Sequence, residues 1–417
     1  MNGKGIMKDG QGGKQADLGA DLARRVVDVP APQTLEMMTR ARALMSQGVD
    51  IVNLTVGEPD FDTPEDIREV AKKALDGGIT RYAPIAGLPD MRAAAAEKLA
   101  RDNGIDYRPE EIVVTNGAKQ AISDTCLSFL EEGDEAIIPS PYWASYPGTV
   151  EFTGARCVYV PTTLRSGFKL TPEALRAALT PRSRLLFINS PSNPTGAVYR
   201  REELEALVEV VLSHPKLWIL SDEIYERIDF TGRHVSTAAL AGARERTITI
   251  NGVSKAFAMT GWRIGYVAAP EPVARLLGRA QATLTAGANP FAQTAAAYAL
   301  RQPKEATAYM TEAYRTRRDL VMELLGEIPG LRVSRPDGAF YAFIDVSAFF
   351  GHDASGRKVA NSIEFTEYLL DRAGVSTVAG AGFGDDRCIR ISTAASEAAL
   401  REGIARLARA IRGLRRP

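Results

Sequence analysis

Between residues 185 and 265, three apolar runs each hand over to polar side chains of kinds that react or bind in concert. The run 185–188 is followed by Asn189-Ser190-Pro191-Ser192-Asn193-Pro194-Thr195-Gly196, the run 218–221 by Asp222, Glu223 and Tyr225, and the run 247–250 by Asn251, Ser254 and Lys255. In a parallel sheet the carboxyl ends of the strands share one rim, toward which the following helices present their N-terminal N–H groups. A carboxylate, a phenol and an amine therefore converge on one edge. Taken singly, each has a plain structural reading. Lysines sit in solvent because burying an ammonium is costly, an Asp after a strand caps a helix, and a buried Tyr is core with a hydrogen-bonded hydroxyl. Lys255, however, lies between a buried-looking strand and the run Ala256-Phe257-Ala258-Met259-Thr260-Gly261-Trp262-Arg263-Ile264-Gly265. Such surroundings lower an amine's pKa from its usual ~10.4 and leave a nucleophile.

The rest of the chain must build the sheet that holds these groups. It has 417 residues, 45% hydrophobic and 24% charged, with 51 basic against 51 acidic side chains. That length suits two or three domains and a sizeable core. Balanced charge gives no electrostatic footprint for nucleic acid or anionic lipid, so neither is expected as a partner. Cys126, Cys157 and Cys388 show no Cys-x-x-Cys pairing, which leaves a disulfide scaffold or zinc site without support and fits a reducing cytoplasm. No apolar run reaches the roughly 20 residues of a membrane helix, and no secretory-signal pattern is found. Residues 1–21 are poor in bulky apolar side chains and read as a disordered tail. Within them Gly12-Gly13-Lys14-Gln15 lacks the Ser or Thr that follows Lys in a phosphate loop.

From residue 66 onward short apolar runs alternate with amphipathic stretches, the mark of a mainly parallel sheet wrapped by helices. Strands are expected at 112–115, 136–139, 157–160, 185–189, 218–221, 247–250 and 264–268, and helices at 66–75, 91–103, 119–130, 201–213 and 272–284. Seven strands in one region make one large α/β domain over 66–304. A long helix at 305–327, strands at 331–333, 340–344, 376–378 and 388–391, and helices at 361–373 and 397–411 then form a smaller α+β domain over 305–417. The segment 22–65, with a helical pattern and a strand at 51–54, is expected to pack with that smaller domain.

Six motifs in order resemble the class I aminotransferases of pyridoxal phosphate fold type I, and most of all their prokaryotic aspartate aminotransferase subgroup. They are Gly57-Glu58-Pro59-Asp60-Phe61, Arg81-Tyr82-Ala83-Pro84, Ser140-Pro141-Tyr142-Trp143, Asn193-Pro194-Thr195-Gly196, Ser221-Asp222-Glu223-Ile224-Tyr225 and the run from Ser254 to Gly265. The resemblance, from about residue 25 to the end, implies pyridoxal 5′-phosphate as cofactor and transamination between an L-amino acid and a 2-oxo acid such as 2-oxoglutarate. It implies that Lys255 carries the cofactor as an imine and then moves the substrate proton. Asp222 pairs with the pyridinium nitrogen, Tyr225 and Asn193 bond the ring oxygen, and Trp143 stacks on the ring. The phosphate belongs at the helix opening with Gly117-Ala118-Lys119, whose free N–H groups and positive dipole end favour an anion, with Arg263 adding a charge-assisted fork. Family members often place a hydroxyl three residues before the lysine, where this chain has Gly252, with Ser254 nearby. Tyr82 matches a tyrosine that reaches the neighbouring subunit's phosphate, implying a homodimer with shared sites. Arg390 matches the arginine that clamps the substrate α-carboxylate, a task suited to a planar guanidinium. Gly57 lets backbone approach the substrate, and Lys119 and Thr34 match the subgroup's acid-recognising pair.

Three other classes fare worse. No strand runs into Gly-x-Gly-x-x-Gly, as a dinucleotide-binding oxidoreductase requires, and Gly252-Val253-Ser254-Lys255-Ala256 lacks the closing glycine of a hydrolase elbow. A binding protein that kept the cofactor without turnover would not need Lys255, Asp222 and Arg390 together. Within the cofactor's own chemistry, an aminotransferase for aromatic or prephenate-type substrates, and a lyase or synthase on the same scaffold, stay open. Reaction choice depends on which substrate bond stands perpendicular to the ring. Aspartate or glutamate is the favoured amino donor.

Overall fold

The computed structural model describes residues 22–27, 33–353 and 358–415, so the tail assigned to residues 1–21 lies outside the described residues. Its largest element is a seven-stranded sheet built from β2 (Ile112–Thr115), β3 (Glu135–Ser140), β4 (Arg156–Pro161), β5 (Ser183–Asn189), β6 (Trp218–Asp222), β7 (Thr247–Gly252) and β8 (Gly265–Ala268). The spatial order is β2-β8-β7-β6-β5-β3-β4. Only β8 runs against its neighbours, and the remaining pairings are parallel.

Alternation along the strands explains why the sheet is covered on both faces. Leu185 and Phe187 point into one cluster with Ala121 and Ile122 of the helix Ala118–Phe129 and Ala274 and Leu277 of the helix Glu271–Leu284. Leu186 and Ile188 point the other way, onto Leu204, Leu207 and Val208 of the helix Arg201–Ser213. A third cluster packs the helices Glu65–Asp76, Pro89–Lys98 and Pro290–Arg301 against β2 and β8.

The helix Pro290–Arg301 was not expected from hydrophobic periodicity. Its buried face is mostly alanine, namely Ala292, Ala295, Ala296, Ala297 and Ala299, so close packing rather than bulky apolar spacing marks it. Asn289, whose side chain accepts from the Ala292 N–H at 3.1 Å, and Pro290 in the first turn are the local start signal. The short helices Tyr146–Glu151 and Pro172–Ala178 were also missed, each too brief to show a period.

The C-terminal part forms a four-stranded antiparallel sheet ordered β12 (Val378–Ala379), β13 (Cys388–Ser392), β10 (Tyr341–Asp345), β9 (Arg332–Val333). A separate parallel pair joins β1 (Val52–Asn53) to β11 (Val375–Ser376). The single strand expected at 376–378 is therefore two, because Ser376 bonds toward β1 whereas Val378 pairs with Arg390 of β13. Leu54 shares a core cluster with Val321, Ile389, Leu400 and Ile404. The long helix begins later than expected, with a 3₁₀ turn at Lys304–Thr307 before Ala308–Gly326. No helix among the described residues is long and apolar enough to cross a membrane.

Candidate active site

The carboxyl ends of β5, β6 and β7 open into a cavity of about 310 Å³ that β13 and the 55–57 segment close from the other side. Strand β7 is buried throughout, and three residues beyond it the Lys255 amine donates to the Gly57 carbonyl at 2.6 Å. Burial lowers the amine's pKa to about 8; Glu58 opposes the shift, while Arg390 and Arg263 add to it. The free-base amine is thus available close to neutrality.

Asp222 ends β6 and is buried. Its Oδ2 accepts from the Tyr146 hydroxyl at 2.6 Å and its Oδ1 from the Ile224 N–H at 3.3 Å. Burial pushes its pKa up to about 6, against the pull of those two donors. Tyr225 shares a hydrogen bond of 2.8 Å with the Tyr341 hydroxyl. Across the cavity, the buried Arg390 donates to the Thr55 carbonyl at 2.8 Å and to Asn193 Oδ1 at 3.1 Å. Its guanidinium lies over Tyr341 at 4.4 Å and over Phe383 at 4.9 Å, and its buried Nε has no partner. Because Arg390 lines the cavity, this N–H is available to a ligand there.

At the end of the cavity nearest β2, Gly117 (φ 79°) precedes the helix Ala118–Phe129, whose first N–H groups have no intrahelical acceptor. Arg263 lies beside it, donating to the carbonyls of Thr260 at 2.8 Å and Asn116 at 3.3 Å. The approach is so close that a Cβ on Gly117 would come within 2.4 Å of the Arg263 guanidinium, and one on Gly265 within 2.5 Å of the Ala118 nitrogen. Gly252 has a similar cause, since a Cβ there would lie 2.9 Å from both Gly265 Cα and the Ile264 carbonyl. No hydroxyl-bearing residue fits at that position without backbone movement, so Ser254, which lines the cavity, is the available hydroxyl on that side. Ala258, Arg263 and Ala339 adopt left-handed φ values of 52°, 57° and 56° around the site, the kind of strain that gathers where geometry serves function.

Of the residues singled out from sequence, Gly57, Ala118, Lys119, Trp143, Asn193, Asp222, Tyr225, Ser254, Lys255, Arg263 and Arg390 line this one cavity, with Gly117 directly behind it. Lys119 stands at the mouth, exposed, with Nζ 3.3 Å from Ser145 Oγ and 5.6 Å from the Trp143 ring centre. Tyr82 is 97% exposed and takes no part in the cavity. Thr34 belongs to the helix Gln33–Ser46, but its side chain lies outside the described residues. Sequence reasoning missed Tyr146, Tyr341 and Phe383. Tyr146, three residues after Trp143 and at the start of a helix, carried a weak signal. Tyr341 and Phe383 reach the site from distant parts of the chain and carried none.

These donors suit pyridoxal phosphate: an amine near neutrality for its aldehyde, a buried carboxylate for its ring nitrogen, and a glycine-tight helix start with a guanidinium for its phosphate. The volume is that of a small-molecule site.

Comparison with known proteins agrees. The chain is 43% identical over 408 residues to the bifunctional aspartate aminotransferase and glutamate/aspartate-prephenate aminotransferase of Petunia hybrida, covering 97% of this chain and 85% of that protein. It is 44% identical to the aspartate/prephenate aminotransferase of Cereibacter sphaeroides, covering 93% and 98%. Among solved structures, the aspartate aminotransferase of Rhizobium meliloti superposes with a TM-score of 0.91 at 40% identity, over 94% of this chain and 99% of that one. That of Thermus thermophilus with maleate gives 0.88 at 44% identity, over 93% and 99%. The profile of the aminotransferase class I and II family matches residues 49–407. With its fold type I architecture, the chain belongs to that family, and it is a pyridoxal-phosphate-dependent aminotransferase.

Proposed function

We propose that the enzyme moves the amino group of aspartate or glutamate to a 2-oxo acid such as 2-oxoglutarate, in the cytoplasm, as a homodimer in which Tyr82 serves the neighbouring site. The observation that carries this reading is the convergence of Lys255, Asp222 and Arg390 on one cavity, each at least largely buried and each held mainly by uncharged groups. The relatives named as acting on aspartate and prephenate support the substrate class. The near-complete exposure of Tyr82 supports a role outside its own protomer. We read 66–304 as the cofactor-binding domain, with 305–417 and the packed segment 22–65 as the smaller one.

When bound, pyridoxal phosphate supplies a carbonyl for the amine and a ring that accepts electrons. The chain's part is to bind, orient and move protons. Arg390 takes the substrate α-carboxylate, for which its open Nε and planar fork are prepared. Lys255, once displaced, holds and returns the proton at the substrate α-carbon, its lowered pKa matching the task. Asp222 would keep negative charge against the ring nitrogen. Tyr225 and Asn193 would bond the ring oxygen, and Trp143 would cover one ring face. Gly117, Ala118, Ser254 and Arg263 would bind the phosphate.

Lys119 would meet a distal carboxylate at the mouth, with Thr34 as its partner and Gly57 leaving room. Mixing the holoenzyme with a panel of amino acids, one at a time, and following the cofactor's absorbance tests the reading. Aspartate and glutamate should convert the chromophore fastest, and faster conversion by aromatic or neutral amino acids would overturn the acidic preference.

A further inference from the structure

Trp143 and Asp222 come from different parts of the chain, one after β3 and the other at the end of β6, yet one side chain touches both. Tyr146 sits in the first turn of the helix Tyr146–Glu151 and is fully buried. Its ring meets that of Trp143 edge to face at 5.4 Å and packs on Phe187 at 4.9 Å. Its hydroxyl reaches Asp222 Oδ2 at 2.6 Å, a short bond of the kind made to a charged acceptor. Packing on Phe187 of β5 and its place in the helix hold the ring with its phenol toward Asp222.

We propose that Tyr146 is a positioning residue for the reaction, its phenol holding Asp222 as a carboxylate in fixed orientation and fixing that carboxylate relative to Trp143. The role assigned to the carboxylate rests on the reading that Asp222 meets the cofactor's ring nitrogen.

The other groups facing Asp222 do not replace this bond. Glu223, its chain neighbour, and Tyr225 act against its charge or are neutral, Lys255 favours the charge from the end of β7, and the Ile224 N–H bonds the opposite oxygen. Asn189 of β5 reaches only the Asp222 backbone carbonyl, at 3.0 Å. Burial already works toward the neutral acid, pushing its pKa up to about 6. A hydrogen bond to the ionised form is what opposes burial most directly.

The experiment follows the Asp222 carboxyl by infrared difference spectroscopy across a pH titration of the full-length protein, carboxyl-labelled at aspartate and freed of cofactor. The band is assigned by its loss in Asp222→Asn. Tyr146→Phe should move the midpoint upward by about one pH unit, the scale of a hydrogen bond to a charged group. Placing 3-fluorotyrosine at 146, a stronger donor of nearly the same shape, should move it downward and guards against a Phe variant that folds poorly. An unchanged midpoint in the fluorotyrosine protein, or movement of both variants in the same direction, would overturn the proposal. In the holoenzyme, Tyr146→Phe should lower kcat while leaving KM within about twofold; a rise in KM alone would contradict the positioning role. If Asp222→Asn transaminates at the normal rate while the infrared shifts appear as expected, the ring-nitrogen reading fails and the Tyr146–Asp222 coupling stands.

Discussion

Two groups of buried charges come closest along the chain at Asp222 and Glu226, and they are built in opposite ways. At Glu226, one residue past Tyr225, the carboxylate pairs with the ammonium of the fully buried Lys98, while Asn103 bonds both partners at 2.7 Å. Next to it Arg227 meets Asp102 at 3.0 Å. Although burial raises the Glu226 pKa, Lys98 and its other partners bring it down to about 2. In the cavity, by contrast, Lys255 rests on a backbone carbonyl, and Arg390 on a carbonyl, an amide and two aromatic faces. The first group spends its charges on itself and ties the chain after Tyr225 to the helix ending at Lys98. The second leaves its charges for something else to balance. Buried charge alone does not mark a site; buried charge with neutral partners does.

That contrast can be broken from either side. The largest effect is expected for Lys255→Ala, which should slow turnover at least about 10⁴-fold, the combined loss of proton transfer and covalent catalysis, while absorbance shows cofactor still bound through its other contacts. On the paired side, Lys98→Ala should cost about 3–5 kcal/mol in urea unfolding, because Glu226 stays behind as an unpaired buried charge, yet leave the rate per folded molecule near normal. Asp222→Asn should retain the cofactor and slow α-proton removal at least about 100-fold, read by deuterium exchange from the substrate.

The pH dependence of cofactor loading sharpens the comparison further. Burial penalises the protonated amine of Lys255, so the reactive free base grows tenfold per pH unit below about 8 and saturates above it. Stopped-flow loading rates of the cofactor-free protein should follow that curve; a rise continuing to the ordinary lysine value of ~10.4 would show the amine unperturbed. The smallest effect is expected for Lys119→Ala. The lysine is exposed, so its pairing with a distal carboxylate is screened, and catalytic efficiency for aspartate and glutamate should fall only about tenfold. Alanine and phenylalanine should be unaffected, and an equal loss for all four would assign Lys119 to the phosphate instead.

Much of this was legible in the chain because the site is local to strand ends. Asn193, Asp222 and Lys255 each follow an apolar run, and a parallel sheet leaves such residues no other rim to occupy. Lys119 could be placed beside the phosphate turn from sequence, but its exposure at the mouth could not, since that depends on how the helix start sits against Ser145 and Trp143. Tyr341 and Phe383 were silent, since their place depends on how the C-terminal sheet docks, which no local period records. The Ala-rich helix Pro290–Arg301 was silent for a different reason: alanine buries well but makes a weak apolar stripe.

We propose Lys255 as the amine that carries the cofactor. Reducing the purified holoenzyme with borohydride, digesting it and sequencing the labelled peptide tests that claim with no assumption about substrate. One cofactor-bearing peptide is expected, modified at Lys255. Label recovered at Lys119 or at any other lysine, with Lys255 unmodified, would contradict it.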